Sequence, residues 1–453
     1  MADLDETLWS FGIPSKTRHN EVAPAQHEMA PVFDSTNVAI DKNMLTMELM
    51  KKVAQKHGLI CLLHEKPFEG INGSGKHNNW SMSTDTGLNL LDPGENPEKN
   101  TLFMLVLAAV IQAVDEYQGI LRGAVASAGN DHRLGANEAP PAIISMYLGD
   151  QLGALVDSIA NGRDYVPFRK QEGSIGVPES PIFPKDASDR NRTSPFAFTG
   201  NKFEFRMLGS QANVADANIV LNTIIAKTFS EFADKLEGEA DTEGAARKLI
   251  TETIKAHSRI IFNLDGYGPA WEPEAERRGL LNNKDTADAT EVFFERKNID
   301  VFVSQGVYTE EEALARAMVR LENYVKIINI EAVTMLKMAK QDIIPAVSDY
   351  VAELCSNVAA KKAISENIPC ETEKSLITRL SSLNDQFSKE VARLESVLGG
   401  IDKEDARPAA KAMAHEVLPR MAAVRKIADE METLTAEDYW PYPSYTDILY
   451  SVK

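Results

Sequence analysis

The sequence predicts an α+β protein: a first part of strands, loops and helices, then an all-α C-terminal extension. Three observations predict it. Residues 1 to about 210 mix short strand-like runs with loops rich in Gly, Pro and Asn. From about residue 211 the texture turns helical. Near the C-terminus, two apolar stripes at helical spacing flank Gly399-Gly400. Leu376, Leu380, Leu383, Phe387, Val391, Leu394 and Leu398 make the first; Met413, Val417, Met421, Val424, Ala428 and Met431 make the second. Such stripes around a short turn describe an antiparallel helical hairpin whose helices pack on each other.

The elements follow in order. "DKNMLTMELMKKVAQKHG" predicts a helix, and "GLICLLHEK" (Gly58 to Lys66) a buried strand. "HNNWSMSTD" after Lys76 is poor helix material and reads as a strand. Its period of two puts His77, Asn79 and Ser81 on one face, with Asn78, Trp80 and Met82 on the other. Helices are expected over about 100–122 and over 141–161. The first contains "LFMLVLAAVIQAV" (Leu102 to Val114), too short to span a bilayer and interrupted by Gln112, hence a buried helix. "KFEFRML" (Lys202 to Leu208) alternates as a half-buried strand does. "ANVADANIVLNTIIAKTFSEFADKL" opens the helical part, and Thr309 with Glu312 three residues on is a capping-box signature. Pro408 suits the first turn of a late helix, and Pro419 should kink it.

The bulk numbers restrict the function classes. The chain has 453 residues, enough for two or three domains. With 43% hydrophobic and 25% charged residues it has an ordinary globular composition. Its 67 acidic against 48 basic residues give a net charge of −19, which argues against general nucleic-acid affinity. Cys61, Cys355 and Cys370 are odd in number and far apart, as in a reducing, cytoplasmic compartment. "MADLDETLWS" lacks a signal-peptide apolar region, and no run is long enough for a membrane span.

Four stretches carry chemistry. "EGINGSGKHNNWS" (Glu69 to Ser81) comes within one residue of a P-loop, but His77 stands where Ser or Thr is required and a strand-like run follows. Gly70, Gly73 and Gly75 allow tight turning and close approach to a ligand; a polar turn and a ligand site both remain open. In "HNEVAPAQHEMAP" (His19 to Pro31), Glu21 and Glu28 are seven apart, either two solvated carboxylates or a converging pair. Pro24 forbids a continuous helix and a flat strand puts them on opposite faces, so they converge only across a bend or bulge. In "KFEFRML", Lys202, Glu204 and Arg206 share a face, a surface ladder or an anion and metal site. "NDHRLGANEAPPAI" places Arg133 and Glu138 on a Gly-containing loop closed by Pro140-Pro141.

Taken in order, "EVAPAQHE", "KPFEGINGSGKHNNWS", "RLGANEAP" and "KFEFR" resemble the catalytic motifs of glutamine synthetase, closest to the large bacterial type III form. The helical tail resembles that type's C-terminal extension, so the resemblance covers essentially the whole chain. It implies a catalytic domain with a curved antiparallel sheet and helices over residues 1–300, and a helical domain over 301–453. It implies ATP-dependent ligation of ammonia to L-glutamate through γ-glutamyl phosphate, with Mg²⁺ or Mn²⁺ and, in a complete protein, a homo-oligomer of stacked rings.

Residue by residue, it assigns Glu21, Glu28, His77 and Glu204 to the metals. Asn72, Gly73 and Arg206 are assigned to glutamate, and Asn79, Ser81 and Arg192 to ATP. Asn79 stands where other types carry His. Arg133 is assigned to phosphate or developing charge, and Glu138 to the flap carboxylate that takes a proton from ammonium. The pattern departs from the family at the start. No Glu-x-Glu strand occurs in "MADLDETLWSFGIPSKTRH", and no β-grasp domain precedes it. The expectation is an N-terminally truncated catalytic domain: a fragment, a misassigned start or half of a split enzyme. Lacking two metal ligands should cost such a chain roughly 10³-fold in rate. The alternative is a non-catalytic assembly or nitrogen-sensing subunit of the same fold.

Overall fold

A computed structural model describes residues 1–136, 139–165, 172–173, 183–184 and 193–450. The chain divides into two compact units, Met1–Ala315 and Arg316–Lys453. The first opens with helix α1 (Ala2–Ser10), an antiparallel hairpin of β1 (Ser15–Asn20) and β2 (His27–Pro31), and helix α2 (Thr36–Lys56). Leu4, Leu8, Ile13 and Leu49 form a small core on which Met29 of β2 packs. Asp5 adds a polar clamp, accepting from Ser15 Oγ at 3.1 Å and pairing with Arg18 at 2.5 Å. One face of the hairpin is thereby fixed by burial and the other left exposed.

Strands β3 (Gly75–Trp80), β4 (Met146–Tyr147), β5 (Glu172–Gly173), β6 (Phe183–Pro184), β7 (Phe196–Phe198) and β8 (Phe203–Gly209) follow. β5 and β6 pair with each other; the rest form a sheet in the order β3-β8-β7-β4. Its pairs are antiparallel except β4 with β7, which run parallel, so the sheet is mixed at that edge. Phe196, Phe203 and Phe205 are fully buried on it, with Phe196 stacked on Phe203 at 4.6 Å.

Helices α3 (Thr101–Glu116), α4 (Gln118–Gly123), α5 (Ala128–Arg133) and α6 (Gly149–Ala160) come between β3 and β5. After β8 come α7 (Ala215–Leu236), α8 (Thr242–His257), α9 (Trp271–Arg277), α10 (Thr286–Glu291) and α11 (Arg296–Ser304). α3 is the expected buried helix; its Gln112 is satisfied by donating to Glu231 at 3.0 Å. α7 anchors the inner face of β3: Asn78 donates to Asn218 Oδ1 at 3.0 Å and Trp80 Nε1 to Asn222 Oδ1 at 2.9 Å.

Three local expectations fail for physical reasons. Gly58–Lys66 is not a strand, and Leu59, Ile60 and Leu62 are 65%, 86% and 52% exposed. An apolar run becomes a strand only with a ladder partner, and none of the described strands pairs with this one. The helix expected over 141–161 begins only at Gly149, because Met146–Tyr147 joins the sheet. Ile143, Ile144, Met146, Tyr147 and Leu148 are all buried, so no periodicity separates strand from helix there. "KFEFRML" is a strand buried on both faces rather than half-buried: even Arg206 is 6% exposed.

Helix α12 (Glu310–Met338) carries the predicted capping box: Thr309 N donates to Glu312 Oε2 at 2.9 Å, and Glu312 N to Thr309 Oγ1 at 3.2 Å. Thr309→Ala should cost about 1 kcal/mol, read as a lower urea midpoint at unchanged slope. The second unit continues through a π turn at Ala339–Ile343 into α13 (Ile344–Ile364), then α14 (Glu371–Gly399) and α15 (Ala406–Ala412). A second π turn, Met413–Val417, leads to α16 (Leu418–Leu434), followed by α17 (Tyr445–Tyr450). The expected stripes are buried from Leu380 to Leu398 and from Met413 to Met431, with Leu376 half-buried. Each π turn ends two residues before a proline, Pro345 or Pro419. The wider turn makes room for a ring that would crowd the carbonyl four residues back. Among the described residues no helix is long and apolar enough to cross a membrane.

Candidate active site

The hairpin brings its two acids together through its turn. Residue pairing places His19 opposite Glu28 and Asn20 opposite His27. Glu21 N donates to Gln26 O at 2.9 Å, closing a loop in which Ala25 takes a φ of +54°, a left-handed conformation rare outside glycine. The turn folds Glu21 back over Glu28. His19 Nε2 then lies 2.7 Å from Glu21 Oε1 and 2.9 Å from Glu28 Oε2. One atom from each of the three residues lies within 4.8 Å of the others. A hydrogen bond with Glu21, burial and the Glu21 charge together raise the Glu28 carboxyl above its ordinary value.

β3 and β8 supply the second half. His77 Nδ1 lies 3.2 Å from Glu204 Oε1. Arg206 holds the other oxygen, donating from Nε at 2.7 Å with Nη2 at 2.6 Å. The ladder has an irregularity between Lys76 and Asn78 that sets both Arg206 and Met207 opposite His77. It lets Glu204 and Arg206 share the side of His77 while Phe205 and Leu208 stay in the core. Asn79 pairs with Glu204 across the ladder, and His77, Asn79 and Ser81 are exposed in alternation, as the sequence period requires. His77 is also close enough to Glu28 for its charge to act there, which links the strands to the hairpin.

Burial opposes ionisation of Glu204, but the hydrogen bond from His77 and the charge of Arg206 outweigh it and hold the carboxyl at about 2. Its folded pKa is below the unfolded one, so it stabilises the fold above about 4.5 and that contribution is lost as the pH falls toward 2. Glu204→Gln should therefore remove on the order of 2 kcal/mol at neutral pH and flatten the acid limb of a stability-versus-pH curve between those values.

Three residues around the site have contacts that the sequence did not disclose. Gln26 donates to Gly73 O at 2.9 Å and Ser74 Oγ at 2.8 Å, tying the hairpin turn to the loop. Glu65, 1% exposed, accepts from Gln211 N at 3.0 Å and Gln211 Nε2 at 3.1 Å, while its carbonyl accepts from Ser74 N at 2.8 Å. His19 stands two residues before Glu21, and the period of a strand could have placed the two on one face.

The metal-ligand candidates Glu21, Glu28, His77 and Glu204 thus lie in one neighbourhood, with Arg206 bound to the last of them. Gly73 is attached to the hairpin through Gln26, and Asn72 is half-buried beside it. Arg133 is placed differently from its expected role. It is 5% exposed and its guanidinium donates to Asn130 Oδ1, Leu208 O and Arg206 O. A Cβ on Gly75 would collide with it, so it props the loop from behind. Burial lowers its pKa to about 10, against the raising effect of Glu65. Glu138 and Arg192 lie outside the described residues.

Two family descriptions match the chain. Residues 1–145 match the glutamine synthetase catalytic domain and residues 245–362 the glutamine synthetase C-terminal domain. A glutamine synthetase of Butyrivibrio fibrisolvens is 44% identical over 100% of this chain and 65% of its own length. A type-3 glutamine synthetase of Dictyostelium discoideum is 41% identical over 99% of this chain and 62% of its own. The chain thus spans less than two thirds of these relatives. A solved GmaS/ADP complex covers 72% of this chain and 60% of its own at 17% identity, with a TM-score of 0.46.

Proposed function

The chain belongs to the glutamine synthetase family, and from that membership we propose that it carries the metal and substrate groups for ATP-dependent ligation of ammonia to L-glutamate through γ-glutamyl phosphate. The observation that supports this most is the convergence of Glu21, Glu28, His77 and Glu204 from three separate sequence motifs. Three carboxylates and an imidazole suit Mg²⁺ or Mn²⁺. Such an ion would neutralise charge on the phosphate oxygens of ATP during transfer.

The protein groups then have distinct tasks. Arg206 keeps Glu204 ionised and in place, and is proposed to hold the α-carboxylate of glutamate. Asn72 and Gly73 position glutamate, with Gly73 O fixed by Gln26 so that the backbone does not drift. Asn79 on β3 and Ser81 just after it are exposed and are assigned to nucleotide, as is Arg192. Glu138 takes a proton from ammonium. Arg133, from its buried position, shapes the glycine loop. Assembly into stacked rings is part of the same proposal.

The test is phosphate release from ATP by the purified chain in Mg²⁺, with Glu204→Ala as control. Release that needs both glutamate and ammonia and vanishes in the control supports the ligase. Binding of ATP and glutamate without release points to the assembly or sensing role. ATP hydrolysis indifferent to glutamate, ammonia and Glu204 contradicts the reading.

A further inference from the structure

Resting on the metal-site reading above, we infer that His19 is an additional protein ligand of the divalent cation, making the hairpin a His-Glu-Glu site that favours Mn²⁺ over Mg²⁺. The hairpin register sets His19 opposite Glu28, and strand period sets it on the face of Glu21. The alternation separates it from the hairpin's other imidazole: His27 pairs with Asn20, its Nδ1 2.9 Å from Asn20 Oδ1. His19 Nε2 is 2.7 and 2.9 Å from one oxygen of each acid. Neighbouring ligand atoms around an octahedral ion at about 2.1 Å lie about 3 Å apart, so these spacings fit adjacent corners of one coordination sphere.

The frame is held for this purpose. Ala25 takes its left-handed conformation within the turn, Gln26 locks the turn to Gly73 and Ser74, and Met29 packs on the small core. His19 itself is half exposed, so a cation reaches it without the fold opening. An imidazole added to carboxylates raises affinity for a transition metal more than for Mg²⁺, which takes oxygen ligands and keeps its waters. The expected consequence is a hairpin site that the His19 nitrogen biases toward Mn²⁺.

The experiment is a Mn²⁺ titration of the full chain by electron paramagnetic resonance, with pulsed detection of ¹⁴N coupling, on the parent, His19→Gln, His77→Ala and the double variant. Circular dichroism confirms that each is folded. The inference predicts that His19→Gln weakens Mn²⁺ binding at least fivefold while Mg²⁺ competition changes less than twofold. It also predicts ¹⁴N coupling that survives in His77→Ala and disappears when His19→Gln is added. Unchanged Mn²⁺ affinity in His19→Gln, or no ¹⁴N coupling in His77→Ala, overturns the inference and leaves the metal site standing. A parent chain that binds no Mn²⁺ overturns both.

Discussion

Replacing His77 by alanine is expected to lower glutamate- and ammonia-dependent phosphate release at least about a thousandfold, because its imidazole serves two neighbours at once. It stands 3.2 Å from Glu204 Oε1, and its charge also reaches Glu28. Without it, Glu204 leans wholly on Arg206, which already holds Oε2. The carboxylate would then pair with the arginine and be poorly disposed toward a cation. Glu204→Gln alone should fall in the same range. The double variant should be little worse than either single one, since groups acting as one unit do not add. Steady-state phosphate release on the three variants reads this directly. Losses that multiply would mean that His77 and Glu204 act separately.

Gly209→Ala is expected to destabilise the first unit by about 3 kcal/mol or more, although it adds one methyl group. The new Cβ would lie 2.9 Å from both Cδ and Cγ of Glu65 and closer still to Oε1. Glu65 cannot swing aside. Its side chain is closed in by Gly129 on the opposite oxygen, and its carboxylate is held by two donors of Gln211. Moving it would leave a buried carboxyl group short of hydrogen bonds. The loop would move too, because the Glu65 carbonyl accepts from Ser74 N. Urea unfolding of Gly209→Ala, Glu65→Ala and the double variant provides the check. The alanine at 209 should cost much less when Glu65 is already truncated. Equal costs in both backgrounds would show that the glycine is required for its backbone and not for the space it leaves.

How far the site was legible follows from which contacts are local. His77, Asn79 and Ser81 on one face of β3 came from strand period alone, and exposure alternates there as that period demands. The convergence of Glu21 and Glu28 could be stated only as a condition, a bend, because a turn with Ala25 at positive φ has no sequence signature. Gln26 and Glu65 were hidden because their partners, Gly73 and Gln211, are 47 and 146 residues away. Arg133 looked like a loop charge; its burial depends on the carbonyls of Arg206 and Leu208, which only the tertiary fold supplies. Gly58–Lys66 marks the converse limit: composition signals a strand, but pairing decides whether one forms. In the tail, Leu380 to Leu398 and Met413 to Met431 were legible because helical packing repeats every three or four residues.

The most direct test of the central claim, that Glu21, Glu28, His77 and Glu204 hold the divalent metals that serve ATP, is the ATP affinity of the purified chain by calorimetry with and without Mn²⁺. The parent and Glu204→Ala are compared, with folding checked in each. The account predicts that Mn²⁺ tightens ATP binding at least about tenfold in the parent and that Glu204→Ala abolishes this gain. The same ATP affinity with and without Mn²⁺ in the parent, or a full Mn²⁺ gain in Glu204→Ala, would contradict it.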